Sequence, residues 1–234
     1  MTGRKNQTEK NNENTNNLAK IMEEVGMEHG FDTVEAEFTA FRDFKLKWSR
    51  STKWIEFQVS NYLEDAPEDV IRGLAKTVFA KIRGQDSDYP EEVNNWLTSP
   101  DFAENHRPAY LKRFIGISEG TKGNHIDLAE CYDRLIESGL LKRDENLCIR
   151  WSRQNNKTSG RCSVLMKVVA INDILDREDM YEDAIDYALY SEICKVNQGY
   201  GESRKSVEDV KKEISRFKNQ SDAEFRLATF GVRV

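Results

Sequence analysis

Glu192 stands in the run Ala188-Leu189-Tyr190-Ser191-Glu192-Ile193-Cys194-Lys195-Val196, with Ser191 beside it and Lys195 about one helical turn further on. A carboxylate in such a place can act as a general base, provided that a neighbour activates the nucleophile it serves. Neither flanking group does so readily. Ser191 is a neutral hydroxyl, and Lys195 carries an ammonium with no lone pair until it loses a proton. Left to themselves, Glu192 and Lys195 make a helical ion pair worth roughly 0.2–0.5 kcal/mol if exposed.

Other groups with chemical potential are scattered. His29, His106 and His125 are the chain's histidines, and they fall far apart in different elements. Separate solvated imidazoles fit that spacing better than a shared metal. Cys131, Cys148, Cys162 and Cys194 form no C-x-x-C pair, which argues against a zinc ribbon. Each cysteine sits in an apolar segment and reads as a small buried thiol. A soft metal site from Cys162 and Cys194 is the alternative. Gly116, Gly120 and Gly123 lack P-loop spacing, and no G-x-S-x-G elbow occurs. The acidic residues Asp173, Asp176, Glu178, Asp179, Glu182, Asp183 and Asp186 precede and open a helix, where they suit its dipole.

Two basic-aromatic groupings invite a nucleic-acid reading. Lys45, Lys47, Arg50 and Lys53 surround Trp48 and Trp54, while Arg150, Arg153, Lys157 and Arg161 surround Trp151. Such surfaces can hold single-stranded nucleic acid by stacking and charge. Lys47, Trp48, Arg50, Arg150, Trp151 and Arg153 are therefore the candidate nucleic-acid contacts. The net charge of -6 favours ordinary solvated strand faces instead.

The 234 residues suffice for one large domain or two small ones. Hydrophobic residues make up 38% and charged residues 32%, a balance typical of a globular chain with a charged surface. No apolar run approaches the ~20 residues of a membrane helix, and no signal core follows the N-terminus. The expectation is a cytoplasmic protein without membrane association.

Residues 1–30 read as a tail, disordered over Lys5–Asn17 and partly helical near Leu18–Val25, because Asn, Lys, Glu and Thr dominate it. Residues 31–234 read as a single α+β domain with a small antiparallel or mixed sheet packed by helices. Phe44–Trp48 and Ile55–Val59 alternate like strands and suggest a hairpin, followed by a helix opening near Pro67 and stopping at Gly84. That hairpin and helix belong to a first part, 31–115, with short helices over Pro90–Leu97 and Pro100–Phe114. The stretch Gly116–Gly123 links it to a second part, 124–234. The second part contains a helix over Ile126–Ser138, a strand at Cys148–Arg153, an apolar strand over Val164–Ile171 and helices over Met180–Val196 and Ser206–Phe217. Phe225, Leu227 and Phe230 are expected to dock on the core. Trp48-Ser49-Arg50 and Trp151-Ser152-Arg153 open similar successions, which suggests a duplicated strand-strand-helix unit. Two independent hairpins followed by helices are the alternative.

From Trp151 to Phe230 the order of features is specific. Gly160 is followed by Val168-Val169-Ala170-Ile171-Asn172, then Leu175-Asp176, then Ile185-Asp186-Tyr187-Ala188-Leu189-Tyr190, and finally the Ser206–Phe217 helix. This succession resembles the SprT-like HExxH metallopeptidases and the YgjP-like predicted metal-dependent hydrolases, over roughly the C-terminal third. The resemblance implies a zincin-like fold with zinc as its cofactor. It places Ser191 and Lys195 at the two histidine ligands of the motif, Glu192 at the catalytic base and Ser206 at the third ligand. Catalytic zinc needs about three protein ligands and an open water position, so the resemblance implies a member from which zinc is absent. The expected function is that of a pseudoenzyme that binds an unidentified protein partner, with Lys195 standing at the old metal position. The alternatives are an active metal-dependent hydrolase with atypical ligands and a nucleic-acid-associated accessory protein.

Overall fold

The structure is a computed structural model that describes residues 2–153, 157–201 and 204–233, with side chains from residue 14 onward in that range. Among the described residues the chain is α+β, with eight α-helices and two mixed three-stranded sheets. It divides into two compact units, Met1–Ser99 and Pro100–Val234. The division falls between the helices expected over Pro90–Leu97 and Pro100–Phe114, and the first unit begins before Phe31.

In the N-terminal unit, α1 spans Thr2–Glu28, β1 Thr33–Thr39, β2 Leu46–Arg50, β3 Trp54–Ser60, α2 Glu68–Ile82 and α3 Glu91–Thr98. Residues expected to be an unstructured tail form the first half of α1. The second half docks because Leu18, Ile21, Met22 and Val25 recur at helical spacing and are buried. Gly26 permits the approach, since a Cβ there would fall 2.5 Å from Val34 Cγ2 and 2.9 Å from Phe79 Cζ. The hairpin of β2 and β3 is present, and β1 pairs parallel to β3 on its other side, giving the order β1-β3-β2. Ile55, Phe57 and Val59 alternate inward along β3. They meet α2, where Phe57 and Phe79 pack edge to face at 5.2 Å. Gly84, with φ of +79°, closes the helix where the sequence placed its stop.

In the C-terminal unit, α4 spans Pro100–Arg113, α5 Leu128–Glu137, β4 Cys148–Ser152, β5 Gly160–Ser163, β6 Val168–Asn172, α6 Glu182–Val196, α7 Val207–Ile214 and α8 Gln220–Thr229. The sheet order is β4-β6-β5. The expected apolar strand over 164–171 is shorter at its start, with the turn at 164–167 separating β5 from β6. Helix α6 is buried on nearly every side, as its apolar residues on two faces require. It packs against α5, α7, α8 and the sheet. Leu227 of α8 is fully buried and Phe230 partly so, but Phe225 is 72% exposed and does not dock.

The two units share an element order. Each runs helix, three strands, a short 3-10 turn and a helix: α1-β1-β2-β3, Asn61–Leu63, α2 in one, and α5-β4-β5-β6, Asp173–Leu175, α6 in the other. In each sheet the first strand is parallel to the third and the second antiparallel to it. Helices α2 and α6 are both fifteen residues long and both open with Glu-Asp. The Trp-Ser-Arg triplets do not mark this repetition. Trp48 lies on the second strand of its unit and Trp151 on the first of its own. The recurring arrangement is out of step with the recurring letters, and it includes β1, whose alternation of Val34, Ala36 and Phe38 went unread.

Candidate functional site: a buried glutamate under a lysine

The face of the second sheet that meets α6 is defined by register. Trp151 and Gly160 both pair with Ile171, and Ile149 and Cys162 both pair with Val169, so these side chains share one face. Glu192 of α6 lies against it. A Cβ on Gly160 would stand 3.0 Å from Glu192 Cγ and 2.9 Å from the Ala170 carbonyl oxygen, so the missing side chain is what leaves room for the glutamate.

The Glu192 side chain is 4% exposed, and Lys195 Nζ lies 2.8 Å from its Oε1. Lys195 itself is 38% exposed, so the pair consists of a sunken carboxylate under a cation that reaches solvent. The Cys162 thiol joins this group. Burial, followed by the negative charge of Glu192, pushes its pKa up to about 12, with Lys195 partly opposing. It is an inert thiol beside a carboxylate, not a nucleophile.

Ser191 and Ser206 serve local structure. Ser191 is fully buried, and its hydroxyl donates to the Ala188 carbonyl at 3.1 Å. Ser206 is the exposed N-cap of α7. Its Oγ accepts the Asp209 N–H at 3.0 Å, and the Asp209 carboxylate accepts the Ser206 N–H in return, completing a capping box. Of the four sequence-derived positions, Glu192 and Lys195 come together, whereas the hydrogen bonds of Ser191 and Ser206 go elsewhere.

These residues do not fit a catalytic zinc ion. The Ser191 hydroxyl is engaged, Lys195 is a cation, and Glu192 with Cys162 supplies two donors where about three are needed. Among the described residues, no three His, Cys, Asp or Glu side chains gather to hold a metal. The histidines have separate neighbours: His29 stacks on Phe79, His106 lies against Phe102, and His125 gives its backbone N–H to Asp176. All four cysteines are free. Cys194 has its pKa raised to about 11, chiefly by burial, with the Tyr190 hydroxyl opposing and the negative charge of Glu213 adding to it.

Two residues that sequence reading undervalued hold the site's frame. Asp176 accepts backbone N–H groups of Asn124, His125 and Ile126 at 2.5, 2.9 and 3.0 Å, fastening the approach to α5. Burial opposes its ionisation, but these donors outweigh burial and leave its pKa below the ordinary value. Asp186 accepts two bonds from Arg134, at 2.9 and 2.7 Å, and ties α6 to α5. The Leu175-Asp176 pair carried the signal for the first of these. For Gly160 the signal was a lone glycine entering a short strand.

The basic-aromatic candidates divide. Trp48 is 51% exposed, Arg50 is exposed, and Lys47 holds its ammonium 5.2 Å from the centre of the Phe41 ring. Trp151 is buried in the core and cannot stack a base. Arg150 turns back to the Ile149 carbonyl, and Arg153 pairs with Asp173 at 3.5 Å. The reason lies in strand position. The Trp151 side chain is on the α6 side of β4, and the β4 edge is covered by residues 116–118 through Ser118 N–H to Trp151 O and Arg153 N–H to Gly116 O. Lys157 of this second grouping accepts the Arg233 N–H at its carbonyl. No helix among the described residues is long and apolar enough to cross a membrane. Compared with protein-family models, with curated proteins and with solved structures, the chain matches none.

Proposed function

We propose that the C-terminal unit is a metallopeptidase-like scaffold of the SprT type that has lost zinc and catalysis and acts by binding a protein partner. The observation that carries this reading is the 2.8 Å pair between Glu192 and Lys195. In this reading Glu192 is the surviving base of an H-E-x-x-H helix, and Lys195 replaces a ligand and supplies the positive charge that a metal would otherwise bring. A buried carboxylate needs such a partner, because an unpaired buried charge is strongly disfavoured. The setting of Glu192 against a glycine of an edge strand supports the reading further, as does the order β4-β5-β6-α6. Zinc, in an active relative, would acidify a bound water and leave a base to take its proton. Without it, Glu192 has no activated nucleophile to serve.

The test is metal content and proteolysis together. Purified protein, prepared with zinc in the medium, is expected to carry no stoichiometric zinc and to leave casein uncut. Stoichiometric zinc with cleavage would instead establish the hydrolase with atypical ligands. The combined substitution Ser191→His, Lys195→His and Ser206→His then asks whether the helix descends from a ligand helix. The reading expects zinc uptake by that variant above the level of the parent. A variant that folds but takes up none would remove the zincin alignment.

A further inference from the structure

The N-terminal unit leaves one strand edge open in a patterned way. In the register of β2 and β3, Lys45 O accepts Ser60 N–H and Ser51 N–H donates to Trp54 O. Lys47 and Ser49 fall in phase with these, so their backbone groups also face β3. The N–H and C=O groups of Leu46, Trp48 and Arg50 therefore point away from the sheet, and β2 is its outer strand. No strand, bridge or loop covers them among the described residues.

Edges of this kind are normally blunted by proline, bulges, covering segments or charged side chains, and an edge blunted by charge still admits a strand of the opposite charge. Here β2 contains no proline, and large aromatic surface lies beside it: Trp48 is 51% exposed and Trp54 44%. The charges along it share one sign, with Lys45, Lys47 and Arg50 all exposed. The companion unit shows how the same arrangement behaves when a segment is within reach. Just before β5, its counterpart of β2, Ser159 N–H donates to Arg233 O and Arg233 N–H to Lys157 O, so Arg233 forms a parallel bridge there.

We propose that the β2 edge is a docking site for an extended acidic peptide of a partner protein, which adds as a further strand. Free donors and acceptors alternating along Leu46, Trp48 and Arg50 match a peptide backbone. Trp48 covers the incoming strand, and Lys47 and Arg50, on opposite faces, pair with carboxylates on it. A nucleic-acid backbone has acceptors for the lysines but no regular donors for the free carbonyls. A second copy pairing edge to edge would bring Lys45, Lys47 and Arg50 of both copies into one seam of like charge.

The test uses the full chain and a fluorescein-labelled decapeptide in which Val-Glu-Glu repeats, so that carboxylates fall on both strand faces, read by anisotropy. Saturable binding is expected, weakened by about tenfold or more in Trp48→Ala and in Arg50→Glu. Circular dichroism of both variants checks that they fold, and a folded Trp48→Ala protein is the one whose loss of binding counts. A further probe leaves the protein untouched: the same peptide N-methylated at every residue. It keeps the side chains and the charge but has no N–H to donate to the free carbonyls of β2, so it must lose binding. The proposal is overturned by absent binding, by equal binding to the variants, or by equal binding of the methylated and unmethylated peptides. It is also overturned if oligo(dT) displaces the peptide, which would make the edge a nucleic-acid site, or if sedimentation shows a dimer that Trp48→Ala dissolves.

Discussion

Gly160 on β5 and Glu192 on α6 meet so closely that a methyl group on the glycine would lie 3.0 Å from the glutamate's Cγ. The same methyl group would also approach the Ala170 carbonyl oxygen to 2.9 Å, and that oxygen belongs to the sheet and cannot swing aside. Gly160→Ala is expected to destabilise the C-terminal unit by about 1–3 kcal/mol. Urea unfolding checks this, with Gly120→Ala as the control, since nothing lies within 4 Å of a Cβ there. An unchanged midpoint for Gly160→Ala would mean that Glu192 does not pack where the structure places it.

Removing the cation above Glu192 leaves a buried carboxylate without a partner. Because Lys195 is 38% exposed, solvent screens part of the loss, and Lys195→Met is expected to cost about 1–2 kcal/mol rather than the larger figure for a fully buried pair. The double variant Glu192→Met with Lys195→Met should recover most of it. Urea titrations of the single and double variants measure the coupling, and a Lys195→Met protein as stable as the parent would show that the pair contributes nothing.

Asp176 ties stability to acid. Its folded pKa lies below the ordinary value of 3.8, so its contribution is complete above that value and disappears as pH falls through the folded pKa. Asp176→Asn is expected to cost about 1–3 kcal/mol at neutral pH through the lost charge-assisted bonds. It should also flatten the decline of stability in acid. Denaturant midpoints at neutral pH and near pH 3 compare the two proteins. Parallel pH profiles would contradict the assignment.

The thiols should be slow to alkylate in the folded state. Burial comes first among the causes that push Cys131 and Cys162 up to about 12 and Cys194 up to about 11. At pH 8 a thiol with a pKa near 12 holds roughly a thousandfold less thiolate than an ordinary one. Iodoacetamide labelling followed by peptide mass spectrometry should mark these positions only after denaturation. Rapid native labelling of Cys162 would place it outside the Glu192 cluster.

Periodicity carried much of the fold. Ile55, Phe57 and Val59 marked β3, and Leu128, Cys131 and Leu135 marked α5, because a buried face must repeat with the period of its element. The dense apolar letters of α6 announced a core helix. Strand β1 escaped because its polar partners, Glu35 and Glu37, made the alternation look like surface, and parallel pairing leaves no turn in the sequence to signal it. The first half of α1 escaped because its composition argues against order, while Leu18 to Val25 anchor its other half against β1 and α2.

The candidate site divides along the same line. The sequence by itself determined that Glu192 has a lysine about one turn away and that Ser191 offers only a hydroxyl, since helical spacing and side-chain chemistry are local facts. Tertiary structure decided that the glutamate is buried, that Gly160 and Cys162 of a distant strand enclose it, and that Ser206 caps a helix. It also decided that Trp48 faces solvent while Trp151, in an identical triplet, lies in the core. The letters around the two tryptophans are alike, but β2 is an uncovered outer strand, whereas β4 has α5 packed on it and its edge closed by residues 116–118. Burial is a property of what packs against a residue, and no short stretch of sequence contains it.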